Sequence, residues 1–164
     1  MDLSFDLKNM TGDHIRVALS DYDRQIVEIF SKDPFIQNLN FYNISLERIK
    51  KKSKYVNPVL LYSICEFLLN FIKENPNTIY TYICDSGSEI ERHHSELTPQ
   101  EYRSNLFSKL FDYYTFSNGI SDYIDELIFI PDSADKNKDT YVHFIYNKIH
   151  HPRIKEISKI ILEK

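Results

Sequence analysis

The stretch from Asn57 to Asp85 limits most strongly what this chain can fold into, because it predicts a helix and a strand that both need extensive cover. Asn57 is expected to cap the helix through its side-chain oxygen, and Pro58 suits the first helical position, where no backbone N–H is needed. Apolar residues then recur at three- and four-residue spacing, which is the period of a helix: Leu61, Ile64, Phe67, Leu68, Phe71 and Ile72. Leu60 and Leu69 widen this apolar face, so we expect the helix to be largely buried.

The segment after this helix predicts a central strand. Asn75-Pro76-Asn77 should end the helix, and the run Ile79–Cys84 is rich in β-branched and aromatic residues. A short run of this kind, without polar alternation, is typical of a strand buried on both faces. The run ends in the polar turn Asp85–Ser88, and a buried strand that leads into a polar loop is a common place for a functional site.

Alternating apolar and polar residues predict three strands on the N-terminal side. Leu3–Leu7 and Ile15–Leu19 alternate on either side of a turn and predict a hairpin, and Leu39–Ile49 predicts a third strand. Residues 21–32 fit either a short helix or a bent strand. Asp33-Pro34 should end that segment, because proline disfavours helical geometry in the residue before it.

A second helix is predicted from Thr98 onward. Thr98 can cap it, Pro99 fits the first helical position, and Glu101 can complete a capping box. Apolar residues at four-residue spacing continue the pattern. Gly119 should end the helix in the left-handed conformation that glycine adopts easily.

The C-terminal part predicts a second hairpin and a last helix. The strands are Tyr123–Ile130 and Tyr141–Tyr146, and His151-Pro152 opens the helix. The resulting order, β-β-(?)-β-α-β-α-β-β-α, indicates an α+β fold: a mostly antiparallel sheet of about five to six strands with about three helices, which we expect on one face. Without an internal repeat or a long linker, residues 1–164 should form a single domain.

The composition favours a globular domain and argues against several classes of function. With 12 Tyr and 11 Phe, the chain favours strands over disorder. Only 3 Gly residues are present, which argues against a glycine-rich phosphate loop. The formal net charge of -4 predicts no nucleic-acid partner, because a nucleic-acid-binding domain is normally basic.

Cysteine usage and hydropathy bear on the compartment. Cys65 and Cys84 both lie in apolar runs and are expected to be reduced thiols. No signal-peptide pattern opens the chain, and the longest apolar run, Val59–Ile72, is too short and too polar to span a membrane. We therefore expect a cytoplasmic protein without a membrane contact.

Three parts of the chain together resemble a known family. They are Tyr82–Asp85 at a strand end after a long apolar helix, Arg103 and Phe107 on the next helix, and His151-Pro152 at the start of the last one. The family consists of small uncharacterised bacterial proteins and is known only as a domain of unknown function. The resemblance implies an α+β fold and a cytoplasmic bacterial protein, and it implies no activity.

The loop after the central strand gathers residues with chemical potential: Cys84, Asp85, Ser86, Glu89, Arg92, His93 and His94. Cysteine with histidine can form an activated thiolate, and cysteine, histidine and aspartate can bind zinc. The loop lacks a Cys-x₂-Cys pair, and adjacent histidines point in different directions, so we expect no metal and no cofactor. A solvated loop in which Asp85 and Ser86 form the turn is the simpler interpretation.

Two further clusters have simple structural interpretations. His143 is expected on the outward face of its strand, and His151 is expected to cap the last helix. The acidic segment Asp132–Asp139 lacks the central glycine and the terminal glutamate of a calcium loop, so it predicts a hairpin loop only.

No catalytic signature is present in the sequence. The leading hypothesis is a module that binds another protein or associates with itself, because tyrosine is favoured at interfaces. The candidate binding residues are Arg103, Tyr113 and Tyr114 on the second helix.

Two alternatives stay open from the sequence. One is a small enzyme whose site at the end of the central strand uses Cys84, Asp85 and either His93 or His94. The other is nucleic-acid binding through the basic run Lys50–Lys54, which would need further basic residues: Arg48, Lys148 and Arg153.

Overall fold

The computed structural model describes residues 3–10, 12–21, 39–50, 58–85 and 96–162, and it contains one six-stranded sheet with helices on both faces. The strands are β1 (Leu3–Lys8), β2 (His14–Asp21), β3 (Asn40–Lys50), β4 (Thr78–Cys84), β5 (Tyr123–Ile130) and β6 (Thr140–Asn147). The helices are α1 (Pro58–Glu74), α2 (Pro99–Ser117) and α3 (His151–Leu162), and short 3₁₀ turns span Lys136–Lys138 and Lys148–His150. The element order confirms the α+β class.

The strand order is β1-β2-β3-β4-β6-β5, which makes β4 a central strand. Four neighbouring pairs are antiparallel, and β3 pairs with β4 in parallel. The helix α1 forms the crossover between β3 and β4. The helix α2 leads from β4 to the edge strand β5, and β6 then returns between them. The sheet is therefore mostly antiparallel, as the sequence predicts.

The expectation that all helices lie on one face is wrong for α3. One apolar cluster joins α1 and α2 to alternate strand residues such as Val17, Tyr80 and Ile145. A second cluster joins Ile154 of α3 to the strand residues that alternate with those of the first cluster, such as Ile79 and Phe144. Because neighbouring strand residues point to opposite faces, the sheet has an α1/α2 face and an α3 face, and β4 and β6 are covered on both except at Ile83, which is 38% exposed.

Local sequence signals set the ends of the helices. The helix α1 begins at Pro58, as expected. The side-chain oxygen of Thr98 accepts a hydrogen bond from the backbone N–H of Glu101 at 3.3 Å, which caps α2. Gly119 follows α2 with a φ of 63°, and its N–H donates to the carbonyl of Phe116.

Several predicted features lie outside the described residues. They include the Asn57 cap, most of the ambiguous segment 21–32, and Asp33-Pro34. Residues 51–54 of the basic run and the loop residues from Ser86 to Ser95 lie outside them as well.

Candidate functional site

The C-terminal end of β4 meets the N-terminal half of α2 on the α1/α2 face. Tyr82 and Cys84 lie two residues apart on β4 and point the same way, toward this helix. Phe107 of α2 stacks on Tyr82, with 4.7 Å between the ring centroids, and its ring centroid is 4.9 Å from that of His143 on β6. Aromatic rings from two strands and one helix therefore enclose this end of β4.

Arg103 lies one turn before Phe107, and its side chain is buried. The residue is 2% exposed, and its Nη2 donates a hydrogen bond to the backbone carbonyl of Asp85. Its Nη1 has no hydrogen-bond partner within the part of the chain that the structure describes. A guanidinium does not lose its proton in a protein, so a permanent positive charge is held beside the end of β4.

Cys84 is sealed beneath this guanidinium. The residue is fully buried, and burial raises the pKa of its thiol to about 11, although the nearby Arg103 acts in the opposite direction. Burial also raises the pKa of Cys65 on α1 to about 12. Both thiols are therefore protonated near neutral pH, whereas a nucleophilic cysteine needs its thiolate form.

Next to Arg103, a buried polar chain connects α2 to β6 and β5. The Oγ of Ser104 lies 2.9 Å from Nε2 of His143, and Nδ1 of His143 lies 2.8 Å from Oδ1 of Asp125. Ser108 donates to the other carboxylate oxygen of Asp125 at 3.0 Å. In a neutral imidazole, Nδ1 donates to the carboxylate and Nε2 accepts from the hydroxyl.

The expectation that His143 faces outward is wrong. It shares the α1/α2 face with Tyr141 and Ile145, but α2 covers that face and leaves His143 fully buried. Its polar atoms are satisfied because Ser104 and Asp125 lie on either side of the ring.

The order of contacts, hydroxyl to imidazole to carboxylate, is also that of a catalytic triad. In a catalytic triad the serine is open to the substrate. Here Ser104 is only 1% exposed and His143 is fully buried. A nucleophile must reach a substrate carbonyl, and this hydroxyl is covered by the residues around it. In this arrangement, the three side chains hold α2 against the sheet.

A narrow apolar cleft between α1 and α2 opens beside Arg103. Its lining is almost entirely apolar and includes Leu61, Ile64, Cys65, Leu68, Leu106 and Leu110, together with part of Arg103. The space that the centre of a water molecule can reach inside the cleft is about 30 Å³. The total empty volume, which includes the part open to solvent, is about 380 Å³. Since one water needs roughly 10–15 Å³ by the first measure, the cleft as it stands has room for only a few small atoms.

The candidate residues from the sequence fall into three groups. Cys84 and Arg103 lie together with the backbone of Asp85, whereas His93 and His94 lie outside the described residues. Tyr113 and Tyr114 lie several turns away, near the end of α2. Sequence reasoning missed Ser104, Asp125 and the role of His143, although polar residues inside apolar runs, such as the Asp125 of Tyr123–Ile130, are a usable signal.

A second polar group connects α3 to the opposite face. Tyr146 donates to Oε2 of Glu126 at 2.5 Å, and its hydroxyl lies 2.8 Å from Nδ1 of His151. His151 is the first residue of α3, so its imidazole joins this helix to the sheet, where the sequence suggested only a cap. His150 is buried, and its Nε2 lies 3.0 Å from the carbonyl of Pro76.

The acidic loop between β5 and β6 satisfies its own backbone. Oδ1 of Asp132 accepts the N–H groups of Ala134 and Asp135, and these bonds lower the pKa of the Asp132 carboxyl. Oδ1 of Asp139 accepts the N–H of Asp132. Among the residues that the structure describes, no group of three or more histidine, cysteine or acidic side chains is arranged to hold a metal ion.

The basic residues considered for nucleic-acid binding do not converge. Arg48 is almost fully buried and lies 3.1 Å from Asp13, while Arg153 forms an exposed pair with Glu156. Arg48 is near the end of β3, and Lys148 follows β6, which runs the other way, so the two lie at opposite ends of the sheet.

No described helix combines the length and the hydropathy that crossing a membrane requires. Comparison of the chain with protein-family models, with curated proteins and with solved structures finds no match. The comparisons therefore do not support the family resemblance seen in the sequence, and the function has to be inferred from the side chains of this chain.

Proposed function

We propose that the protein works by binding another protein, or a second copy of itself, through an aromatic surface where α1 begins and α2 ends. We call this surface the aromatic end and define it by Val59, Tyr62, Tyr113 and Phe116. The observation that carries the proposal is the exposure of large apolar side chains there. Phe116 is 88% exposed, Val59 is 68% exposed and Tyr113 is 56% exposed.

Ring contacts bring the two helices together at this end. The ring centroids of Tyr62 and Tyr113 are 5.3 Å apart in an edge-to-face arrangement, and those of Tyr62 and Tyr114 are 6.1 Å apart. Val59 precedes Tyr62 by three positions and Phe116 follows Tyr113 by three, so each helix adds one more residue on the same side. The exposed residues therefore form one surface and are not scattered singly.

Tyr113 and Tyr114 have different parts in this surface. Tyr114 is 7% exposed and packs into the core, where burial raises the pKa of its hydroxyl. Tyr113 turns outward and rests on Tyr62, so its ring is already held in place before a partner arrives. A rigid aromatic side chain loses little conformational entropy on binding, which suits a contact at the centre of an interface.

Photo-cross-linking at position 113 tests the proposal. A chain with benzoylphenylalanine in place of Tyr113 is expressed in the native host and irradiated, and a matched chain carries the probe at Ile149, which is 67% exposed outside the aromatic end. We expect an adduct at position 113 that contains a second protein chain, identified by mass spectrometry, and little or none at position 149.

The variant Phe116→Ser completes the test. Because Phe116 is exposed, its replacement should change the free energy of unfolding by no more than about 0.5 kcal/mol while it reduces the adduct at position 113. An adduct yield at position 113 that equals the yield at position 149, or that Phe116→Ser leaves unchanged, would contradict the proposal.

We place the small-enzyme hypothesis second. The clustering of Arg103, Ser104 and His143 beside the end of β4 favours it. The raised pKa and full burial of Cys84 count against a thiolate nucleophile, and the side chain of Ser104 is covered. The enzyme hypothesis would need Cys84 or Ser104 to become accessible. The binding hypothesis does not, because its residues are already exposed.

A further inference from the structure

We propose that the edge strand β5 pairs antiparallel with β5 of a second copy of this chain, so that the two sheets join into one. β5 is the last strand on its side of the six-stranded sheet. It shares no residue with the aromatic end, so this surface is a second one and is tested independently of the proposed function.

The first step is the outer side of β5, where backbone groups point away from the sheet. The N–H of Lys148 donates to the carbonyl of Asp122 at 2.8 Å, and the register of β5 and β6 continues from this pair. Hydrogen-bonded pairs alternate with unbonded ones along an antiparallel ladder. The even-numbered residues of β5 therefore bond to β6, while Leu127 and Phe129 direct their N–H and C=O groups outward. In the described part of the chain, no strand pairs with this side.

The second step is the lack of protection on this edge. Natural edge strands avoid pairing with other chains through lysine, proline or exposed charge. β5 contains no Lys, Arg or Pro, and its two carboxylates, Asp125 and Glu126, are engaged in hydrogen bonds within the chain. The exposed side chains of β5 are apolar, with Leu127 44% exposed and Phe129 43% exposed.

The other edge of the sheet, β1, is protected in the usual way. Its exposed residues are polar or charged, namely Ser4, Asp6 and Lys8, and they alternate with half-buried apolar residues. Of the two edges that the structure describes, β5 alone combines outward backbone groups with exposed apolar side chains.

The third step is the choice of partner, because the residue pattern of β5 fits a second β5. Residues opposite each other in an antiparallel pair lie on the same face and can pack together. A twofold axis at Ile128 places Leu127 of each copy opposite Phe129 of the other and joins their outward backbone groups. The acidic residues lie in the first half of β5 and the exposed apolar ones in the second, so no carboxylate faces a carboxylate.

Amide hydrogen exchange of the wild-type chain tests the pairing without any substitution. One strand pair is smaller than a standard interface, so we expect a weak dimer that forms as the protein concentration rises. Sedimentation equilibrium measures the dimer fraction at each concentration. The amides of Leu127 and Phe129 should exchange more slowly in step with that fraction, because the second strand supplies their acceptors.

The outward amides of β1 are the matched control. The N–H of Asn9 donates to the carbonyl of Asp13, which places the odd-numbered residues of β1 in the ladder with β2. By the same alternation, the amides of Ser4 and Asp6 lie on the outer side of β1. Their exchange should not depend on the protein concentration.

Substitutions separate this surface from the aromatic end. Leu127→Lys puts an ammonium group on the exposed edge and should weaken dimer formation by at least about tenfold, because each copy loses an apolar contact and gains a charge. Ile149→Lys is the matched control, since Ile149 is 67% exposed outside β5, and Phe116→Ser alters the aromatic end. Both of these variants should dimerise as the wild type does.

The proposal is overturned if the wild-type chain stays monomeric at every concentration, if the amides of Leu127 and Phe129 exchange at a rate independent of concentration, or if Leu127→Lys dimerises as the wild type does. A dimer that Phe116→Ser weakens and Leu127→Lys leaves intact also overturns it, because that pattern assigns self-association to the aromatic end.

Discussion

At the scale of single residues, burial decides what the cysteines can do. Cys84 lies at a strand end next to a guanidinium, which in an open site would favour the thiolate. In the fold, the loss of water around the sulfur outweighs the effect of Arg103, and the pKa of the thiol rises. If Cys84 and Arg103 were exposed to solvent, the guanidinium would favour the thiolate and the cysteine would be reactive.

The raised thiol pKa predicts a loss of stability in alkali. The unfolded thiol ionises near pH 9, while the folded thiol keeps its proton up to about pH 11. Above pH 9 the unfolded state therefore binds fewer protons, and the free energy of unfolding falls as the pH rises through this window. The contribution of Cys84 is fully present below pH 9 and is lost by about pH 11, with a size of roughly 3 kcal/mol.

Urea denaturation of wild-type protein and Cys84→Val between pH 8 and pH 11 measures this contribution. The difference is needed because buried tyrosines, including Tyr80 and Tyr82, also have raised pKa values and destabilise the fold in alkali. We expect the variant to lose less stability than the wild type over this range. Parallel curves would mean that Cys84 does not titrate differently in the two states.

The sequence can point to single residues, but it cannot show which residues they contact in the fold. Arg103 was a candidate from its place on the second helix, and its contact with the strand end followed only from the fold. Ser104 and His143 are separated by 39 positions, and His143 and Asp125 by 18. No local spacing rule links residues on three elements, so this group could not be predicted as a unit.

At the scale of the elements, most boundaries follow from local chemistry. Pro58 and Thr98 mark the starts of two helices, and alternation marks the hairpin of β1 and β2. These signals act within one or two turns of chain, which is why the sequence suffices for them. The face of the sheet on which α3 packs does not follow from local sequence. The apolar stripe of α3 shows that the helix must pack against something, but it does not specify which side of the sheet.

Gly119 offers a test of the end of α2. Its φ of 63° lies in the left-handed region, and a Cβ added there would meet no atom of the described residues within 4 Å, apart from the chain neighbours of Gly119. Gly119→Ala should therefore destabilise the protein through the backbone alone, by about 1 kcal/mol. Gly119→Asn is the matched control and should cost less, since asparagine tolerates this conformation.

Chemical denaturation of the two variants measures the effect. Equal losses for alanine and asparagine would show that the left-handed conformation is not what Gly119 contributes. A loss well above 2 kcal/mol for alanine would point to a steric contact that the open surroundings of Gly119 do not contain.

At the scale of the whole molecule, each face of the sheet has its own polar attachment. On the α1/α2 face, Asp125 and His143 hold α2. On the α3 face, the neighbouring residue Glu126 holds Tyr146, which also contacts His151. Successive residues of β5 point in opposite directions, so adjacent carboxylates serve opposite layers. The two layers should therefore loosen independently.

Tyr146→Phe tests this independence. Burial, together with the nearby carboxylate of Glu126, raises the pKa of the Tyr146 hydroxyl, which stays a donor at neutral pH. Removing it leaves Glu126 with a weaker contact, a hydroxyl of Ser158 at 3.5 Å. Hydrogen bonds to charged groups contribute about 1.5–3 kcal/mol, so the free energy of unfolding should fall by that order.

Amide hydrogen exchange shows where the loss is felt. In Tyr146→Phe, the amides of α3 should exchange faster while those of α1 change little, because local opening follows the contacts that are removed. Tyr123→Phe is the matched variant for the other face, since the Tyr123 hydroxyl donates to the carbonyl of Ile72 on α1 at 3.2 Å. It should loosen the end of α1 and spare α3. If both variants accelerate exchange in both helices equally, the sheet transmits the disturbance and the two layers unfold as one unit.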